Sequence, residues 1–422
     1  DLPQIKTRPV FSGGQTGTQV WILPFFTDSL SGDIKKVISF SLEYKEKSSF
    51  AGSEAIYRKS DPFESVLASG EWYKIALTES GAYKIDFSFL VSLGLNPASI
   101  DPRNLRIFGN GGYLLPQKND EPVPEDLEEN SIIVVGEEDG QFDQNDYILF
   151  FGLSPHKLEF KQGSDGYYVD YVNNIYSDTT FYFLNISDTP GRRIIDKEDL
   201  GDNYPVIRTF DQLLKYELDQ LNILKSGREW YGEKYDLKTT YDYEFETPGL
   251  AENEELKIIS SVMAASYNPS YFELEVNGFT VGQQDMDVIP ETKYGIKGKT
   301  RTDTFSISTG IFPGTTDKLD LKMRYVKSSS TDLSAGYHDF FNIWCKRDLG
   351  IYETQTYFQS IESLENPFST FSIADDGSDY TIWEVTDPFS PLNQRFSTVN
   401  GRSLFGTETT QLKKFVIFSD NN

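Results

Sequence analysis

Short apolar runs separated by polar turns dominate the chain, and most of them alternate with the period of a β-strand. Residues 72–77 and 81–86 lie on either side of a Glu-Ser-Gly turn, so we expect them to form a hairpin. Further apolar runs occupy residues 105–108, 131–135, 147–151 and 180–184. We therefore expect residues 64–205 to form a small β-rich domain.

Two stretches instead show helical spacing. Residues 87–94 are predicted to form a short helix, because the run ends at Gly94 and Pro97 follows. Residues 208–226 carry apolar side chains three and four positions apart, which predicts a second, amphipathic helix that ends near Gly227. Its apolar positions are Phe210, Leu213, Leu214, Leu218, Leu221 and Leu224.

From residue 235 onward the pattern is almost wholly that of strands. Eight runs at intervals of about 10–20 residues predict a two-sheet sandwich of the jelly-roll type over residues 206–422. The runs are residues 241–245, 256–262, 271–276, 304–308, 319–325, 340–345, 368–373 and 380–385, followed by a last apolar run at 415–418. The predicted fold class is therefore mainly β and multi-domain. A C-terminal jelly-roll-like β-sandwich follows a small β-rich domain with one or two short helices.

The first 60 residues contain only two strand predictions, at residues 19–26 and 36–44. Two strands are too few for an independent domain, so we expect an incomplete domain here, joined to the rest by a Ser-rich linker over residues 48–66. The chain begins with Asp1 and shows no signal peptide, and we expect a processed or trimmed chain.

The charge balance narrows the range of partners. The chain has 39 Lys and Arg against 65 Asp and Glu, a formal net charge of −26. Nucleic acid is therefore not expected as a partner, and the charge argues against docking on an anionic lipid surface. No apolar run approaches the roughly 20 residues of a membrane-spanning helix. Aromatic residues make up 14% of the chain, which favours strands.

The chain has one cysteine, Cys345, and two histidines, His156 and His338. A disulfide within the chain, a zinc site with several thiolates and a histidine-rich metal centre are therefore excluded. Cys345 and His338 are seven residues apart in one predicted strand, and an odd separation places them on opposite faces. His156 lies in a loop without a nucleophile-elbow motif. We predict no catalytic residue in this chain and expect Cys345 to be a buried structural thiol.

An acidic turn at residues 136–146 is a candidate calcium site. Its oxygen donors surround a glycine turn, which suits a hard cation, although the spacing is not that of an EF-hand. The candidate ligands are Glu138, Asp139, Asp143, Asn145 and Asp146. A solvated hairpin turn between two apolar strands explains the same residues, and both interpretations stay open.

Several stretches in a fixed order resemble a known family. They are residues 70–75 (GEWYKI), 81–85 (GAYKI), 105–116 (LRIFGNGGYLLP), 146–152 (DYILFFG), 174–177 (NIYS), 226–233 (SGREWYGE) and 382–388 (IWEVTDP). This series resembles the region before the peptidase domain in the PorU family, the gingipain-like sortases of the type IX secretion system of Bacteroidetes. The resemblance covers nearly the whole chain from about residue 19.

The resemblance implies a part of a larger cell-surface enzyme. In the family, a caspase-like domain with a His–Cys dyad follows the strand that resembles residues 415–418, so none of His156, His338 and Cys345 inherits a catalytic role. The parent enzyme would process cargo of the type IX secretion system at the exterior of the outer membrane. Its expected partners are an outer-membrane barrel, other surface subunits and the cargo, without a direct membrane span of its own.

The resemblance therefore predicts a non-catalytic scaffold that docks partners. The alternative is a stand-alone carbohydrate-binding or adhesive surface protein, because exposed aromatic side chains of sandwich modules often stack on sugar rings. An independent hydrolase is a third hypothesis, since 65 acidic residues offer many carboxylate pairs that could act as acid and base. The sequence does not distinguish any one of these pairs.

Overall fold

The computed structural model describes residues 5–12, 15–27, 32–40 and 64–419, except for residues 117, 119, 165, 224, 226–228, 293–294, 315, 330 and 376. The chain divides into two compact units, Asp1–Glu64 and Ser65–Asn422. No helix among the described residues is long and apolar enough to cross a bilayer. The division into residues 1–60, 64–205 and 206–422 stays a prediction.

The first unit contains two antiparallel pairs of strands. Strands β1 (Ile5–Ser12) and β2 (Gln15–Ile22) pair with each other, as do β3 (Phe25–Thr27) and β4 (Ile34–Lys36). The strand predicted at residues 36–44 is wrong over residues 37–40, which form no strand. Residues 41–44 and most of the predicted linker lie outside the described residues.

The second unit begins with nine strands and one α-helix. The strands are β5 (Trp72–Leu77), β6 (Gly81–Asp86), β7 (Leu105–Phe108), β8 (Glu129–Asn130), β9 (Ile132–Val135), β10 (Tyr147–Gly152), β11 (Lys157–Gly163), β12 (Gly166–Val172) and β13 (Thr180–Ile186). The helix α1 (Phe87–Ser92) confirms the first helix prediction. It starts at Asp86, whose carboxylate accepts the Phe89 N–H at 2.7 Å, and Gly94 follows it with a positive φ of 86°.

The remaining strands complete a mainly β fold, as predicted. They are β14 (Ile195–Lys197), β15 (Val206–Ile207), β16 (Thr209–Glu217), β17 (Lys234–Tyr235), β18 (Thr240–Glu246), β19 (Glu255–Ala265), β20 (Ser270–Val276), β21 (Phe279–Met286), β22 (Lys299–Ser308), β23 (Lys318–Val326), β24 (Ala335–Asp348), β25 (Gln355–Phe358), β26 (Phe368–Ala374), β27 (Thr381–Glu384), β28 (Leu392–Gln394), β29 (Ser397–Val399), β30 (Arg402–Glu408) and β31 (Phe415–Phe418). Short 3-10 helices lie at Val66–Ala68, Pro97–Ser99, Pro102–Asn104, Glu137–Asp139, Thr309–Ile311 and Ile361–Glu365.

Four of the sheets in the second unit stack in layers. Their strand orders, from one side to the other, are β5-β13-β7-β8, β6-β10-β9, β14-β28-β27-β31-β25 and β15-β26-β30-β29. Each neighbouring pair of layers encloses an apolar core, to which both of its sheets contribute side chains. The stack therefore consists of alternating β-layers and apolar cores.

Strands β10 and β31 are buried on both faces. In β10, Phe150 belongs to the first core and Phe151 to the second. In β31, Val416 belongs to the second core and Ile417 to the third. Continuous apolar runs of this kind are typical of strands that lie between two layers.

A separate two-sheet sandwich is inserted into this stack. Its sheets have the strand orders β16-β24-β19-β22 and β18-β23-β20-β21, and they enclose a core that includes Ile258, Leu274, Leu321 and Ile343. The segment before the sandwich contributes β14 and β15 to the stack, where they pair in parallel with β28 and β26. Chain segments on both sides of the sandwich therefore build the same pair of layers.

The hairpin predicted for residues 72–86 is wrong. Strands β5 and β6 do form, but β5 pairs with β13 and β6 pairs with β10, in different layers. The intervening turn carries the chain from one layer to the next across the first core, to which Ile75 and Ile85 both contribute.

The helix predicted for residues 208–226 is also wrong, because residues 209–217 form strand β16. Phe210 and Leu214 are four residues apart, a spacing that fits one face of a helix and equally one face of a strand. In the structure Phe210 packs in the third core of the stack, and Leu214 packs against the sandwich core. The predicted end of the helix near Gly227 lies outside the described residues.

All eight predicted strand runs beyond residue 235 form strands, but they do not build one sandwich. The six runs up to residue 345 lie in the inserted sandwich, whereas β26 and β27 lie in the stack. The sequence pattern could not separate them, because the spacing of strands does not specify which sheet each one joins.

We expect adjacent residues of β10 to be equally sensitive to truncation. Phe150→Ala and Phe151→Ala should each destabilise the fold by about 3–5 kcal/mol, because each change opens a cavity in a different core. In the one-sided strand β23, Leu321→Ala should be costly, whereas Lys322→Ala on the exposed face should change stability by less than about 0.5 kcal/mol. Urea unfolding followed by circular dichroism measures these differences. Tolerance of either Phe substitution would contradict the layered arrangement.

Candidate functional site

A β-bulge places His338 in the sandwich core. The register between β19 and β24 passes from Ser261–Phe340 to Val262–His338, so Asp339 has no partner in β19. As a result the His338 ring lies 4.3 Å from the Phe341 ring, which belongs to the sandwich core as Cys345 does. The prediction that His338 and Cys345 face opposite sides of the strand is therefore wrong.

The imidazole of His338 is completely buried beside an acidic residue. Its Nδ1 lies 3.4 Å from Glu233 Oε2, and its ring lies 5.8 Å from the ring of Tyr216 and 5.1 Å from that of Tyr243. Burial lowers the pKa of His338, against the opposing attraction of Glu233, so the imidazole is neutral at neutral pH.

Glu233 is the ionised member of this cluster. It accepts a hydrogen bond of 2.5 Å from the Tyr216 hydroxyl and one of 3.2 Å from the Tyr243 hydroxyl. Burial alone would raise the pKa of Glu233, but the close approach of His338 and the hydrogen bond from Tyr216 outweigh it and lower the pKa to about 2. Tyr235 in turn bonds to the Tyr243 hydroxyl at 2.7 Å. Glu233 and the three tyrosine hydroxyls are thus hydrogen-bonded to one another inside the fold, which indicates a structural role.

A second group of ionisable side chains lies near the bulge. Lys215 forms an ion pair with Glu217, and the Asp339 carboxylate accepts a hydrogen bond of 2.8 Å from Ser261 Oγ. The pKa of Asp339 is raised to about 6. Burial is the largest cause, and the carboxylates of Glu217 and Asp219 add to it, against the hydrogen bond from Ser261. Burial also raises the pKa of Asp219 and lowers that of Lys215. Asp339 thus titrates close to neutral pH.

Cys345 has the properties of a structural thiol. Its side chain is completely buried in the sandwich core, and burial raises its pKa to about 12. A nucleophilic cysteine needs a lowered pKa and an adjacent base. His338 is separated from it by seven residues of strand, about 20 Å at the usual rise per residue. The two residues therefore do not form a catalytic dyad.

His156 is held by its loop rather than aimed at a nucleophile. Its Nδ1 accepts the Asn174 N–H at 3.2 Å, and its Nε2 lies 3.4 Å from Asp178. The neighbouring Ser154 hydroxyl donates to the Thr78 carbonyl at 3.3 Å and accepts the backbone N–H of His156. The Ser154 hydroxyl is therefore bonded to the backbone of His156 and not to its imidazole, which is the contact a catalytic Ser–His pair needs.

The residues of the acidic turn bond largely to the turn itself. Glu138 and Asp139 lie in the 3-10 helix Glu137–Asp139, and Asp139 accepts the Gln141 N–H at 2.9 Å. Asp146 Oδ2 accepts the Asp143 N–H at 2.7 Å, while Asn145 lies in the exposed turn between them. Within the described ranges no three His, Cys, Asp or Glu side chains form a group that could hold a metal ion. The turn connects the antiparallel neighbours β9 and β10, and calcium binding stays a prediction.

We expect Asp339→Asn to stabilise the chain at neutral pH. The folded-state pKa of about 6 lies above the ordinary value of 3.8, so the ionised carboxylate costs stability, fully so above pH 6. Asparagine keeps an oxygen for Ser261 and removes the charge. The gain should be about 1 kcal/mol at pH 7.5 and should vanish near pH 4, where Asp339 is protonated in the folded state.

Thermal melts of both proteins at the two pH values measure this gain. The matched control is Asp320→Asn, which changes an exposed carboxylate and should leave the melting temperature unchanged at both pH values. A gain that is equal at pH 4 and pH 7.5 would contradict the titration of Asp339.

The calcium hypothesis predicts a ligand-dependent melting temperature. If calcium binds, the melting temperature rises with added calcium relative to a chelator, by mass action on the folded state. Asp143→Asn should then remove most of that rise. Equal melting temperatures in calcium and in chelator would support the solvated hairpin turn.

The comparisons with known proteins include an extended structural match. No protein-family model matches the chain, and no curated protein matches it. Among solved structures, dimeric latent PorU from Porphyromonas gingivalis matches with a TM-score of 0.70 and 19% sequence identity. The match covers 85% of this chain and 33% of the PorU chain, so this chain spans about a third of the length of that protein. The fold therefore resembles a region of PorU.

Two further solved structures match with low TM-scores. The CBM36-1 domain of a multidomain xylanase from the hindgut metagenome of Trinervitermes trinervoides has a TM-score of 0.20 and 12% identity, over 32% of this chain and 95% of that domain. The insecticidal delta-endotoxin Cry8Ea1 from Bacillus thuringiensis has a TM-score of 0.21 and 10% identity, over 57% of this chain and 41% of its own. Neither match supports a conclusion about this chain.

Proposed function

We propose that this chain is the non-catalytic N-terminal scaffold of a cell-surface, PorU-like sortase. The observation that carries the proposal is the fold likeness to latent PorU over 85% of the chain. The ordered series of motifs from residue 70 to residue 388 supports it independently. In this proposal the parent enzyme is a gingipain-type cysteine peptidase that processes cargo of the type IX secretion system at the exterior of the outer membrane.

The chemistry of the described residues supports a role without bond cleavage. The thiol of Cys345 is buried and its pKa is raised, while His338 is committed to Glu233 and the tyrosines around it. His156 is bound to the loop that contains Asn174. A scaffold needs none of these groups to be reactive.

The architecture also suits a scaffold. Strands β10 and β31 lie between apolar cores, and the inserted sandwich is fixed to the stack through buried polar contacts at Asp211. Such a body can hold a catalytic domain and partner proteins at fixed distances. Its proposed partners are the outer-membrane barrel and other surface subunits of the attachment machinery, with cargo reached through the parent enzyme.

Two measurements on the purified chain test the proposal. We expect no cleavage of a cargo protein that carries a C-terminal sorting signal, and no difference between the chain and its Cys345→Ala variant. We also expect the chain to retain the purified barrel subunit in a binding assay, because docking is the proposed role.

Two outcomes would contradict the proposal. Cleavage that is lost in Cys345→Ala would identify an independent cysteine peptidase. A defined sugar ligand on a glycan array, together with no retention of the barrel subunit, would favour the adhesive alternative.

A further inference from the structure

Four loops meet at one end of the inserted sandwich. The strand registers place them there, because Thr240 pairs with Arg324, Ser270 with Met286, and Ala265 with Ala335. The same registers pair Lys299 with Ala264 and Tyr271 with Val326. The described residues of these loops are 236–239, 266–269, 287–292, 295–298, 327–329 and 331–334, and we call this end of the sandwich the loop tip.

Each loop presents a large apolar side chain to solvent. The exposed fractions are 100% for Leu237, 55% for Tyr267, 45% for Val288, 58% for Ile296 and 96% for Leu333. Four of these five side chains are aliphatic. An exposed apolar cluster of this kind at one end of a folded body indicates a contact surface.

Polar contacts within the loop tip tie the loops to one another. Lys327 Nζ bonds to Asp236 Oδ1 at 3.3 Å, and Asn268 Nδ2 bonds to Asp332 Oδ2 at 3.4 Å. The Ile289 N–H donates to the Ser266 carbonyl at 2.8 Å. The polar groups thus hold the loops together, while the apolar side chains beside them, such as Leu237 and Leu333, stay exposed.

The charge of the loop tip differs from that of the chain. The described residues of the loop tip include four acidic and three basic residues, whereas the whole chain carries a net charge of −26. An approach with the loop tip forward therefore meets less repulsion from a negatively charged surface than the net charge of the whole chain would cause. At physiological ionic strength, charges more than about 8 Å behind that contact are screened.

We propose that the loop tip inserts its apolar side chains into the interfacial layer of a lipid bilayer. Aliphatic side chains on separate loops, with a tyrosine beside them, suit the boundary between headgroups and acyl chains. A protein partner is less favoured, because interface hot spots are enriched in Trp, Tyr and Arg and depleted in Leu and Val. The proposal goes beyond the scaffold role and does not depend on it.

The net charge of −26, which disfavours an anionic lipid surface, belongs to the whole chain. The described residues of the loop tip are nearly neutral, so apolar insertion rather than charge attraction would supply the affinity. Binding should therefore occur on vesicles of phosphatidylcholine alone. Addition of phosphatidylglycerol should not strengthen it.

Vesicle flotation of the whole chain tests the proposal. The chain should float with phosphatidylcholine vesicles, and Leu237→Ser combined with Leu333→Ser should lower the partition coefficient about tenfold or more. The matched control is Leu115→Ser combined with Ile175→Ser, since these side chains are 73% and 72% exposed in the body formed by residues 65–186. The control should float like the unsubstituted chain.

A fluorescent label reports insertion directly. Leu333→Cys provides an accessible thiol, because Cys345 is completely buried. An environment-sensitive dye on this thiol should shift to the blue when vesicles are added, whereas the same dye at Leu115→Cys should not shift.

Three outcomes would overturn the proposal. They are no flotation of the unsubstituted chain, equal loss of flotation in both double variants, and association of two copies that depends on Leu237 and Leu333 without vesicle binding. The last outcome would assign the loop tip to a contact between copies of the chain.

Discussion

The fold of the second unit depends on strands in its two middle layers that have no solvent face. When neighbouring residues such as Phe150 and Phe151 are both apolar, a strand must lie between two cores, and β10 satisfies that requirement. Strand β31 does the same one layer further on. Together they fix the order of the layers, because each joins the core on one side of its sheet to the core on the other.

The inserted sandwich is attached to this stack at the start of β16. Phe210 packs in the third core of the stack, and the next residue, Asp211, is a buried carboxylate. Its two oxygens accept the indole N–H of Trp344 and the backbone N–H of Ile361, both at 2.7 Å. Burial raises the pKa of Asp211, against the hydrogen bonds from Ile361 and Trp344. One side chain thus joins a strand of the sandwich to a segment of the stack.

The sequence predicted where the strands lie better than which strands meet. Alternating apolar and polar residues correctly predicted β5 and β6 as strands. Such a pattern does not specify which strand each one pairs with, so the predicted hairpin between them was wrong. At Phe210 and Leu214 a spacing of four residues satisfied both helix and strand. No feature of the sequence predicts the bulge at Asp339. The bulge places His338 on the same side of the strand as Cys345, although their odd separation in sequence predicted opposite sides. Contacts that depend on the strand register, such as that of His338 with Glu233, therefore could not be predicted from the sequence.

Burial is what distinguishes the interior chemistry of the sandwich from the chemistry of its surface. His338, Glu233 and Cys345 are residue types that often carry out catalysis, but here each lies inside the sandwich. The neutral His338 lies beside Glu233, Glu233 accepts hydrogen bonds from tyrosine hydroxyls, and burial raises the pKa of Cys345. Leu237 and Leu333 differ from these residues, because they are apolar side chains that lie almost fully in solvent and belong to no apolar core. The same sandwich buries its alternating apolar residues on β19, β20 and β23. Stability explains those buried positions and not the exposed leucines, so the loop tip is where a constraint other than folding acts on this sandwich.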